Sequence, residues 1–163
     1  STGLTGVYFV DLKGESDRLY AGYLREAILL SLGGLAAILG LLVAATRSPG
    51  RVFRIAAPLV VAVAVVIAGL VLAGQQLNIL HLVGMLLVVA VGSNYALFFD
   101  RGAAEGGISP RVLASLLLAV STTVAGFGIL AFSSVPVLNA IGATVGPGAL
   151  LALAFSAILA RRT

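Results

Sequence analysis

The residues with chemistry to offer are few, and they sit inside apolar sequence. Gly92, Ser93, Asn94 and Tyr95 bring a hydroxyl, an amide and a phenol into the otherwise hydrocarbon-like stretch 79–99. A helix of that length spans a bilayer, and a polar group within it must hydrogen-bond another helix or line a wet cavity. The Asn94 carboxamide carries donors and an acceptor, and leaving them bare in lipid costs several kcal/mol. The expected partners are Ser121, Thr122 and Thr123, consecutive near the centre of the next apolar run. Two roles stay open for the group: a helix-to-helix bond worth roughly 1 kcal/mol, or the lining of a pathway. Tyr95 projects about 100° around the helix from Asn94 and so faces different neighbours. Phe98 and Phe99 lie closer to the membrane boundary, so Tyr95 reads as a buried phenol with a hydrogen-bond partner, not an interfacial belt residue.

Other chemistries lack their residues. His81 is the only histidine, two residues inside its run, with no second His, Asp or Glu nearby in sequence; it reads as interfacial and solvated. No acid lies in the middle of an apolar run, since Glu26 and Asp100 flank and Asp11, Glu15, Asp17 and Glu105 fall outside. An intramembrane aspartyl dyad is therefore missing, and so is a His-Glu-x-x-His metal motif. Ser93 stands about 18 Å along the helix axis from His81, too far for a serine-base pair. Without a Walker loop, energy must come from elsewhere or from an ion gradient. With no cysteine, disulfides and thiolate chemistry are excluded. Neither an enzyme nor a cofactor or metal site is expected.

Composition sets the class that positions these residues. At 60% hydrophobic and 10% charged residues, with a mean hydropathy of +1.15, the chain is an integral membrane protein. The net charge of +4 is spread between apolar runs with no continuous basic face, which argues against nucleic acid. The uncharged runs are 27–46, 55–74, 79–99, 112–132 and 137–160; with lead-in turns the first and fourth spans become 24–46 and 111–132. Each can cross about 30 Å of hydrocarbon, so the expected fold is an all-α bundle of five transmembrane helices, antiparallel in succession. Arg47, Arg51, Arg54, Arg101, Arg111, Arg161 and Arg162 fall on one side and none on the turns opposite, which makes that side cytoplasmic. Five crossings then put the amino terminus outside, where Lys13, Arg18 and Arg25 give a small contrary signal.

Before the first span, residues 7–10 form a strand-like run, Lys13 and Gly14 break it, and Ser16 stands at an N-cap position with Asp17 in the first turn. One strand is not stable alone, so residues 1–15 read as the tail of an outside domain and 16–163 as the membrane domain. A start at Ser1 without Met reads as a fragment. Glycine, with 20 residues, sits mainly inside the runs: Gly33 with Ala37, Gly40 with Ala36 and Ala44, and the ladder Gly148, Ala152, Ser156, Ala160. These, with Gly84, Gly92 and Gly126, are the expected close-packing positions, although small residues are common in membrane helices in any case. Pro58 reads as a first-turn residue, Pro136 as a turn, and Pro147, between two glycines, as a kink in the last span.

Leu77 to Gly84 leading to Gly92, Ser93, Asn94, Tyr95, Ala96, Leu97 and Phe98 resembles the central helix of resistance-nodulation-division (RND) transporters of the MMPL-like branch. Ser121, Thr122 and Thr123 with Gly126, Phe127 and Gly128 resemble the next helix, and Leu138, Ile141 and Gly142 its successor. The resemblance implies the carboxyl-terminal half of a proton-driven bacterial exporter of lipids or hydrophobic molecules in the inner membrane. Its partners would be the absent amino-terminal half, membrane lipids and hydrophobic cargo, with homo-oligomers left open. The family places Asp before the Tyr; here that position is Asn94, which cannot titrate. The amide would then bond an aspartate or tyrosine of the other half, with Ser93, Asn94, Tyr95, Ser121, Thr122 and Thr123 as the pathway candidates. Competing readings are a sterol-sensing-like sensor or scaffold bundle, in which Asn94 is structural, and a protein-translocation accessory.

Overall fold

Helical periodicity accounts for the whole described chain. The computed structural model describes the backbone of residues 12–160 and the side chains of 21–159. Its elements are α1 (Leu12–Thr46), α2 (Pro49–Leu72), α3 (Ile79–Ala104), α4 (Pro110–Leu130) and α5 (Pro136–Ala160). All five are long and apolar enough to cross a membrane, and no strand occurs among the described residues. The strand expected at 7–10 lies outside them. Within them, α1 already contains Lys13 and Gly14, so the helix begins ahead of the expected cap at Ser16. A glycine near a helix end costs about 1 kcal/mol, which a long cooperative helix absorbs.

Local signals explain the boundaries. Arg47 turns the chain with φ 51°, Ser48 is extended at the N-cap, and Pro49 opens α2. That start precedes the expected one at residue 55, which corrects two readings: Arg51 and Arg54 are helical, and Pro58 is interior. An interior proline leaves the carbonyl four residues back, here that of Arg54, without its helical donor. The Asn78 side chain caps α3 by accepting from the Leu80 and His81 N–H groups at 3.0 and 3.2 Å. Gly106 and Gly107, at φ 87° and 136°, make the turn into α4, whose first turn donates from Val112 N–H to Ser109 Oγ at 3.3 Å. The Pro147 segment stays within a single helix, α5.

The bundle is built around α5, which packs on α2, α3 and α4, while α3 also meets α1 and α2. Half of the α5 span is buried, against 6% for α1 and 11% for α4. Small residues set the closest approach. A Cβ added to Gly84 would meet Thr144 at 2.9 Å, one on Gly92 would meet Ala152 and Leu59 at 2.8 Å, and one on Gly148 would overlap the Val88 methyls. The pairs 84/144, 88/148 and 92/152 advance together by four residues, so α3 and α5 run parallel with a shared seam. Thr144, Ala152 and Ser156 are buried along it. Other glycine expectations fail: nothing lies within 4 Å of a Cβ on Gly33, Gly40 or Gly126. The buried side of α1 centres on Leu42 and includes Gly34, against which Leu86 packs; Gly33 and Gly40 are turned away from it. Gly142, not among the expected close-packing positions, faces the backbone of Phe127, Leu130 and Ala131 directly.

Candidate functional site

Rotation about the α3 axis decides which polar residues meet. Asn94 is exposed, on a stripe with Val83 and Phe98, 45% and 46% exposed, and with Arg101. Tyr95, one residue on, is 5% exposed and packs with Phe99, Leu116, Val120, Ala149 and Leu153. The inward place near α4 is therefore taken by the Tyr95 ring, and the 100° step per residue sends Asn94 outward.

The expected pairing of Asn94 with Ser121, Thr122 and Thr123 is not formed. Thr122 Oγ1 donates to the Leu118 carbonyl at 2.6 Å and Thr123 Oγ1 to that of Ala119 at 3.0 Å, bonds within their own helix. Ser121 and Thr122 are exposed, because α4 packs chiefly on α5 and turns Leu116 and Val120 inward. Ser93 is buried and donates to its own helix, at the Ala90 carbonyl, 2.8 Å away. Among the described residues, neither the Asn94 carboxamide nor the Tyr95 hydroxyl has a hydrogen-bond partner, so the partner expected for the phenol is absent. No fully buried side-chain N or O among the described residues is left without one, so the Tyr95 hydroxyl keeps some exposure.

His81 is 3% exposed, not solvated as expected. Its ring serves the helix end. Nδ1 lies 3.2 Å from the Asn78 N–H and 2.8 Å from Asn78 Oδ1; unprotonated it accepts from the backbone and completes the capping box, protonated it donates to the amide oxygen.

A second polar group joins α2 to α3. Arg51 donates from Nε and Nη2 to Asp100 Oδ2 at 2.9 and 2.6 Å, and Arg54 Nη2 stands 3.9 Å from Oδ1. The Asp100 side chain is only 11% exposed. Beside them a cavity of about 330 Å³ opens between α2, α3 and α5, walled by Ala57, Pro58, Ala96 and Leu159. Sequence reasoning missed this cluster because it placed all three residues in loops. The signal was present: Arg51 and Arg54 stand three apart, one helix face, and the topology brings the start of α2 and the end of α3 to the same side.

Comparison with known proteins gives no match: no family model, curated protein or solved structure aligns with the chain.

Proposed function

We propose that this chain is the carboxyl-terminal membrane half of a proton-driven exporter of lipids or other hydrophobic molecules, seated in a bacterial inner membrane with its amino terminus periplasmic. The observation that carries the reading is the exposed Asn94 carboxamide. It lies well inside a span whose other faces are covered by α1, α2 and α5, and lipid tails offer it no hydrogen bond. A second bundle that supplies one satisfies it, as the resemblance to RND transporters implies for the amino-terminal half.

In this arrangement Asn94 carries no proton. It holds the titrating carboxylate of the opposite half through the amide, with the Tyr95 hydroxyl alongside. Ser93, Thr122 and Thr123 satisfy their own backbone, and the exposed Ser121 and Thr122 are assigned to the flank of the same contact.

Proton-coupled cargo flux in vesicles carrying the full-length protein tests this. Asn94→Ala should lower flux strongly, and Asn94→Asp should shift its pH dependence by adding a titrating group. Wild-type flux in Asn94→Ala removes the pathway role.

A further inference from the structure

We infer that the cavity beside Asp100 binds the phosphate of an anionic phospholipid, with Arg54 as its main ligand and Arg51 shared between lipid and Asp100. Two guanidiniums face one carboxylate there, so the wall keeps a net positive charge. Arg54 is half exposed and, at 3.9 Å from the nearest Asp100 oxygen, makes no hydrogen bond among the described residues; its planar donor fork suits a phosphate. Arg51 spends its bonds on a single carboxylate oxygen.

Depth favours a lipid over a free anion. Both arginines lie in the first two turns of α2, at the headgroup level of a span, where basic clefts between helices take up lipid headgroups. The walls behind them, Ala57, Pro58, Ala96 and Leu159, are apolar and match the first carbons of an acyl chain. Phe53, also at the rim, is 76% exposed, an interfacial position for an aromatic ring. The gap exists because the α3–α5 seam continues to Ala96 and Ser156 with side chains too small to fill the corner between α2 and α3.

The test is native mass spectrometry of the full chain released from bilayers of equal phosphatidylglycerol and phosphatidylcholine. Wild type should retain phosphatidylglycerol preferentially. Arg54→Gln should reduce that preference about tenfold, as loss of one charge-assisted contact does, and Arg111→Gln, away from the cavity, should leave it unchanged. Ala57→Phe fills the cavity with every charge intact and should abolish retention; it decides the question if Arg54→Gln does not assemble. Undiminished retention in Ala57→Phe overturns the site. Displacement of the lipid by millimolar inorganic phosphate overturns the lipid assignment and leaves a simple anion site.

Discussion

Replacing Gly148 with alanine adds one methyl at the tightest side-chain contact of the α3–α5 seam. The new Cβ overlaps the Val88 methyl groups, and Val88 is fully buried, so no open space receives the displaced atoms. Nor can α5 retreat, because Gly142 on the same helix is pressed against the backbone of Phe127, Leu130 and Ala131. Overpacking of this kind costs about 1–3 kcal/mol, against a helix-propensity gain of about 1 kcal/mol for removing a glycine. The net is a loss of up to about 2 kcal/mol. At Gly33, where a Cβ meets nothing within 4 Å, only the gain remains, so the same substitution should be neutral or mildly stabilising. Reversible unfolding in mixed micelles, followed by loss of far-ultraviolet helical signal, measures both. Truncating the obstacle supplies an internal control: with Val88→Ala the nearest remaining side-chain atom is the Cβ, 3.2 Å from the added methyl, so the double variant should recover part of the loss through a favourable coupling term. A Gly148→Ala protein no less stable than the Gly33→Ala protein would refute the packing reasoning.

Other perturbations probe the polar contacts. Asp100→Asn removes the charge that holds Arg51 and Arg54, and should cost on the order of 1–2 kcal/mol in the same unfolding assay, with Arg51→Gln giving a similar loss and the double variant less than their sum. Asn139 Nδ2 donates to the Ala131 carbonyl and ties the start of α5 to the end of α4; Asn139→Leu should destabilise by about 1 kcal/mol and speed hydrogen exchange in the turn 131–135. His81→Ala removes the ring that completes the α3 capping box and should cost about 1 kcal/mol, read as faster amide exchange at Asn78.

The five spans were legible because hydropathy and chain length are local properties. Their boundaries were less so. The start of α2 was missed since Arg51 and Arg54 interrupt the apolar run; a helix tolerates charges where its end emerges from hydrocarbon, so charge marked the membrane edge and not the helix edge. Glycine spacing identified Gly84, Gly92 and Gly148 together with Gly33, Gly40 and Gly126, although only the first three lie at close contacts. Four-residue spacing says that small residues share a face, not that another helix lies against it.

Sequence alone determined a membrane bundle, its span order and the handful of polar residues within it. Tertiary structure decided that Asn94 points out, that Tyr95 occupies the inward place, and that Arg51, Arg54 and Asp100 converge. The physical reason is that spans of this kind are apolar on every side, so burial carries little directional information. Rotation of each helix is then set by how its small and large side chains fit its neighbours, which depends on all five helices at once.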